Sequence, residues 1–233
     1  MEFSAHSSEE SCLSLTWQNI IDWAQTHYRE RVFRKDEQIP ARPELIYLVN
    51  QGAVRLVSQT QNPHQKTSSI ESNEPEIEEL EEAFLGFIGA GKPFEIVNQS
   101  CFSLRAYAHV DHTQVIWLYW QDLDHWLDFR QEIYEAFRYQ HQRKLLWLSA
   151  LGQRRTIDRL ISFLTLLVEE YGEMQEQGCC LPYTLTHAQI GSAIGSTRVT
   201  VTRLMGKLRR QGIISVRSDN SICLNNLEMI KDD

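Results

Sequence analysis

The sequence predicts an α+β chain with a strand-rich first half, a helical middle and a small C-terminal domain built on a helix-turn-helix. Three observations carry that prediction. The hydrophobic period is short from Arg31 to Ser58 and again from Phe84 to Leu118, and lengthens to steps of three and four between Asp122 and Tyr171. The stretch Thr186 to Leu208, THAQIGSAIGSTRVTVTRLMGKL, holds two short amphipathic segments around a glycine. The formal charge of −8 also changes sign along the chain: residues 1–183 carry 16 basic and 27 acidic side chains, net −11, and residues 184–233 carry 7 and 4, net +3.

In chain order, residues 1–30 read as a polar tail and a short helix, with Leu15, Trp17, Ile20, Ile21 and Ala24 at near-helical spacing. Residues 31–121 form the strand-rich domain. Val32 to Arg34, Leu45 to Asn50 and Ala53 to Ser58 read as strands, with a turn at Asp36-Glu37 and a hairpin around Gln51-Gly52, where glycine suits a positive φ. Residues 59–82 interrupt this domain with a polar and then acidic run that includes Glu71, Glu74, Glu76, Glu78, Glu79, Glu81 and Glu82. Such a run buries little apolar surface and is expected to be a solvated loop. Strands resume at Phe84 to Ile88 and over Arg105 to Leu118.

Residues 122–152 are expected to be a long helix. Phe129, Ile133, Phe137, Gln140, Lys144, Trp147 and Leu151 repeat at steps of three and four, a seam that suits either the core of the chain or a second copy. Gly152-Gln153 reads as a hinge into the C-terminal domain, residues 153–233. There, Thr156 to Tyr171 is a helix with a broad apolar face. Thr186 and Gln189 make a capping box, Ala188, Ile190, Ala193 and Ile194 supply an apolar face, and Gly195 ends the helix. Ser196 or Thr197 caps the next one, in which Val201, Leu204, Met205 and Leu208 share a face. Ile213 to Val216 and Ser221 to Leu224 follow as two strands of a wing.

The second helix of that pair carries the functional reading. A DNA-reading helix presents its N-terminal side chains to base edges, and arginine is the commonest bidentate partner of guanine. Arg198 occupies that place, Val199 suits a thymine methyl, and Thr202 and Arg203 lie on the same open side. Thr186, His187, Ser196, Lys207 and the wing's Arg217 are placed for phosphates. From Gln177 to Ser218 there is no Asp or Glu, so the block is a positive island on an acidic chain.

Other classes find little support. No apolar run approaches the ~20 residues of a membrane span, and MEFSAHSSEESC lacks the start of a signal peptide, so a cytoplasmic protein without membrane contact is expected. Cys12, Cys101, Cys179, Cys180 and Cys223 show no C-x-x-C spacing, and an odd count in a reducing compartment implies free thiols. His109, His112, His125 and His141 do not have metal-ligand spacing, and no metal is expected. No nucleophile-base pair, phosphate loop or paired acid stands out, so an enzyme is not expected.

IGSTRVTVTRLMGKLRRQGII resembles the recognition-helix signature of the Crp/Fnr superfamily of bacterial transcription factors, and IGSTRVTVTRL is similar to its NtcA-like branch of cyanobacterial nitrogen regulators. The resemblance implies an N-terminal double-stranded β-helix (a β-roll, or cupin-like jelly roll), a long dimerisation helix and a C-terminal winged helix-turn-helix. It also implies a homodimer on a GTA/TAC palindrome, RNA polymerase as a partner, and Ile133, Phe137, Gln140, Lys144, Trp147 and Leu151 at the dimer interface. An effector pocket would fall on Phe94, Glu95, Ile96, Val97 and Arg105. The phosphate cradle of the cyclic-nucleotide binders is absent, since Arg105 is followed directly by Ala106, so cyclic AMP is not expected. The branch implies 2-oxoglutarate, with Arg105 on its carboxylates, whereas the missing counterparts at Gln140 and Leu145 leave open a dimer controlled by a partner protein.

Overall fold

The structure, a computed structural model, describes residues 17–60, 82–97, 102–175 and 178–225. The polar tail, most of the acidic run, Cys12 and Cys101 lie outside the described residues. The architecture is that of a β-roll, a long helix and a winged helix-turn-helix. Residues 17–26 form helix α1. Eight strands follow: β1 (Glu30–Phe33), β2 (Gln38–Ile39), β3 (Leu45–Gln51), β4 (Ala53–Thr60), β5 (Glu82–Gly89), β6 (Pro93–Phe94), β7 (Phe102–Ala108) and β8 (Thr113–Tyr119). They make two four-stranded sheets, ordered β1-β8-β3-β6 and β2-β7-β4-β5. The short 3-10 helix Trp120–His125 leads into α2 (Leu127–Leu151) and α3 (Thr156–Tyr171). The C-terminal part adds β9 (Glu173–Gln175), β10 (Gly178–Cys180), α4 (His187–Ala193), α5 (Arg198–Arg210), β11 (Ile214–Val216) and β12 (Ile222–Leu224).

The chain divides into two compact units, Met1–Arg55 with Phe87–Ile96 and Ala106–Leu145, and Leu56–Gly86 with Val97–Arg105 and Leu146–Asp233. In the first unit, β3 has five consecutive buried residues, and β8 pairs with it in antiparallel register from Leu45↔Tyr119 to Val49↔Val115. The core gathers Ile46, Leu48, Ile116 and Leu118 from these strands, Ile20, Ile21 and Ala24 from α1, and Leu123, Phe129 and Ile133. The two predicted turns are present. Asp36 adopts a φ of 65°, and Gly52 one of 83°, where a Cβ would also lie 2.7 Å from Thr113 Oγ1.

The long helix starts later than the periodicity indicates. Residues 120–125 coil more tightly, Asp122 accepts from the Tyr119 amide, and Trp126 leaves helical geometry at φ −134° and ψ 76° before α2 begins.

In the second unit the wing is part of a larger sheet, ordered β11-β12-β10-β9. Its outer strands are three residues each and polar on β9, too short and too hydrophilic to read as strands from sequence. This sheet also overturns the expectation of free thiols. Cys180 and Cys223 are directly opposed on β10 and β12, with Cα atoms 3.9 Å apart, and form a disulfide. Residue spacing alone cannot reveal a pair 43 positions apart that only strand register brings together. Cys179 remains a free thiol; burial pushes its pKa up. No helix among the described residues is long and apolar enough to cross a membrane.

Candidate nucleic-acid interface

The helix-turn-helix is built as its residues dictate. Thr186 Oγ1 accepts from the Gln189 amide at 3.1 Å and Gln189 Oε1 accepts from the Thr186 amide at 2.9 Å, which closes the capping box of α4. Ile190 and Ala193 are buried and Ile194 follows them inward, but Ala188 turns out to solvent, because position 188 lies on the far side of this two-turn helix. Gly195 takes a φ of 62° and lets the chain reverse. Gly191 allows the turn to close, since a Cβ there would lie 2.8 Å from the Ser196 carbonyl oxygen. Thr197 caps α5, its Oγ1 accepting from the Thr200 amide at 3.2 Å.

Three bonds that the sequence does not announce hold this turn in place. Arg159 on α3 donates through Nε to the Ile194 carbonyl at 3.0 Å, and Trp147 donates through Nε1 to the Ala193 carbonyl at 3.2 Å. The Phe84 amide donates to Ser192 Oγ at 3.0 Å. These partners satisfy carbonyls left open where α4 ends, and no local signal in a tryptophan 46 residues away could have marked it. Phe84, Trp147 and Phe163 form an aromatic cluster beneath, with ring centroids 5.2 to 6.4 Å apart.

On α5, Val201, Met205 and Leu208 are buried and Leu204 is half-buried. Arg198, Thr202, Arg203 and Lys207 are exposed, as are Arg209 and Arg210, and Val199 is 78% exposed. None of these five cations makes an ion pair among the described residues. An exposed valine at the start of a helix is costly in water and useful against an apolar group. His187 and Ser196 are half-buried and Thr186 is exposed. His187 Nδ1 lies 2.8 Å from Thr202 Oγ1, tying the two helices together. At the wing, exposed Arg217 sits 3.9 Å from Asp219, whose carboxyl is held below its usual range by hydrogen bonds from the Ser221 hydroxyl and amide, with a smaller contribution from Arg217.

The effector residues are divided between the two units. Phe94 and Ile96 are buried, Phe94 stacking on Tyr47 with centroids 5.2 Å apart, and half-buried Glu95 accepts from Trp120 Nε1. In the other unit, Val97 is exposed and Arg105 is half-buried with no partner among the described residues.

The seam along α2 is mostly occupied by the chain itself. Ile133 is 1% exposed, Phe137 packs against the same core, and Gln140 donates to the Pro93 carbonyl at 2.8 Å. Trp147 is held as described above, leaving Lys144 and Leu151 exposed. The interface expected from that seam is corrected accordingly. Aromatic residues at these steps fill the cores on the inner side of α2, and its uncovered apolar residues are Leu127, Tyr134, Tyr139, Leu145, Leu146, Leu148 and Leu151.

Comparison with known proteins agrees with this construction. Residues 158–232 match the family described as the Crp-like helix-turn-helix domain. The Global nitrogen regulator of Synechococcus elongatus is 38% identical over 80 residues, 34% of this chain and 36% of that protein. That of a Nostoc species is 42% identical over 71 residues, 30% of this chain and 32% of that protein. The matched segment thus spans about a third of the length of these curated relatives. Over most of the chain the fold matches a CooA mutant from Carboxydothermus hydrogenoformans, with TM-score 0.64, 20% identity, and 88% of this chain and 86% of that one covered. It also matches FixK2 from Bradyrhizobium japonicum, with TM-score 0.61, 21% identity, and 87% and 95% covered. The C-terminal domain is a Crp-like helix-turn-helix, similar to that of the nitrogen regulators, and the chain has the fold of Crp/Fnr regulators. The relatives named are regulators rather than enzymes.

Proposed function

We propose that the chain is a cytoplasmic, sequence-specific DNA-binding transcription regulator that acts as a homodimer on a GTA/TAC palindrome. The observation that carries this reading is the open face of α5, where Arg198, Val199, Thr202 and Arg203 stand together in solvent with no acidic neighbour to neutralise them. Arg198 reads guanine through a bidentate contact, Val199 lies on a thymine methyl, and Thr202 and Arg203 extend the contact along the groove. Thr186, His187, Ser196, Lys207 and Arg217 hold phosphates and set the register.

Two such helices must lie about 34 Å apart to enter successive major grooves, which a dimer supplies. The exposed leucines of α2 are its apolar surface: Leu145, Leu146 and Leu148 are each more than half exposed. RNA polymerase is the partner through which such a dimer activates, or which it blocks.

One observation favours an effector. The guanidinium of Arg105 is half-buried without an ion pair among the described residues, a state that a dicarboxylate such as 2-oxoglutarate would relieve. An equilibrium titration at fixed salt, with a GTA/TAC palindrome and a scrambled duplex, tests the main reading. Tighter binding of the palindrome supports it and equal binding refutes it. Repeating the titration with 2-oxoglutarate tests Arg105: a shift lost in Arg105→Ala supports the sensor, and an unchanged curve leaves a dimer controlled by its partners.

A further inference from the structure

His187 is the only histidine between residues 142 and 233, and it stands in the middle of the binding face. The hydrogen bonds around it determine which of its nitrogens carries a proton. Thr202 Oγ1 has one hydrogen, and donates it to the Arg198 carbonyl at 2.9 Å. Toward His187 the hydroxyl can therefore only accept, so Nδ1, 2.8 Å away, carries the hydrogen. Nε2 is left with a lone pair in the neutral ring, or with a second N–H in the charged one. It makes no bond within the described residues, and the half-buried ring leaves it open to solvent.

The surrounding charges are all of one sign. Helix α4, HAQIGSA, has no other charged side chain, and no residue from Gly178 to Ser218 is acidic. Helix α5, packed against it, carries Arg198 and Arg203 beside Thr202 and Lys207 one turn on, and the preceding segment offers only Tyr183. An imidazolium here has no carboxylate to pair with while the protein is free. A DNA phosphate would be its only counter-charge.

We propose that His187 is a proton-linked phosphate ligand: DNA binding by this chain takes up a proton on its Nε2, and affinity rises as pH falls. The proposal rests on the DNA-binding reading above and adds to it a titrating contact. The neutral ring offers a phosphate a lone pair, which repels it; the protonated ring offers a charged N–H, which is attracted. Thr202 is the positioning residue, because its acceptor turns the ring so that Nε2 faces outward. The imidazole changes charge within the range of about pH 5 to 8, so regulation by cytoplasmic pH follows.

The experiment titrates the full chain against the palindrome and a scrambled duplex, over a salt series, near pH 6 and near pH 8. The dependence of log affinity on log salt should be steeper near pH 6 by about 0.9 per protomer, one phosphate neutralised, on both duplexes. His187→Gln should show the same shallow slope at both pH values, and His187→Arg the steep slope at both. Thr202→Val should keep binding but lose part of the pH dependence. Thermal melts that match the wild type exclude a folding defect in these variants. If His187→Gln keeps the wild-type pH dependence, other groups take up the proton and the proposal is overturned. If neither duplex binds at either pH, the DNA-binding reading itself falls, and the proposal with it.

Discussion

Along α5 the apolar residues Val201, Met205 and Leu208 are buried and the cations Arg198, Arg203 and Lys207 are left outside. Along the second half of α2 the inner residues are covered too, but the outside is leucine, with Leu145, Leu146 and Leu148 exposed to 52%, 51% and 63%. Both helices are amphipathic in the sense that one side packs. What differs is the chemistry of the side that does not. A cationic free face is stable in water and waits for a polyanion, whereas exposed leucines cost about 1.5 to 3 kcal/mol each relative to burial and wait for an apolar partner. The contrast assigns DNA to one helix and a second copy to the other.

The strongest way to break this contrast is to make the outer face of α2 charged. Leu145→Glu with Leu148→Glu should turn the dimer into a monomer in sedimentation. It should lower affinity for the palindrome by about 10²- to 10⁴-fold while leaving a single half-site duplex unaffected, because linkage of two sites is what is lost. An equal loss on the single half-site would place the effect in folding instead.

The disulfide sharpens the comparison on the α5 side, since it ties the wing's β12 to β10. Reduction, or Cys223→Ser, should lower unfolding stability by about 2 to 4 kcal/mol in urea melts, with dimerisation through α2 intact. Smaller still are two changes confined to α5. Thr197→Ala removes the cap and should cost about 1 kcal/mol of stability. Lys207→Ala should weaken palindrome and scrambled duplex alike and reduce the salt slope by about 0.9 per protomer.

Much of the C-terminal domain was legible in the sequence because its signals are local. The capping box of Thr186 and Gln189, the positive φ at Gly195 and the apolar positions of α5 each depend on residues within one or two turns. The turn at Gly52 was legible for the same reason. What escaped depends on contacts distant in sequence. Trp147 and Arg159 holding the end of α4, and Cys180 facing Cys223, are set by packing and strand register. The α2 seam shows a third case: periodicity correctly located a packed stripe in Phe129, Ile133 and Phe137, but a stripe does not say whether its partner is the same chain or another. The strand-rich domain supplied such a partner, and the free leucines were on the other side.

The central claim is that Arg198 reads a guanine from the open face of α5. Its most direct test is a double-mutant cycle: Arg198→Ala and replacement of the half-site guanine by adenine, singly and together, with affinities measured at one salt concentration. The account predicts that either change alone costs about 1 to 3 kcal/mol per half-site and that the second adds little to the first, because both remove the same contact. Fully additive losses, with Arg198→Ala weakening every duplex equally, would make Arg198 a phosphate ligand and contradict the claim.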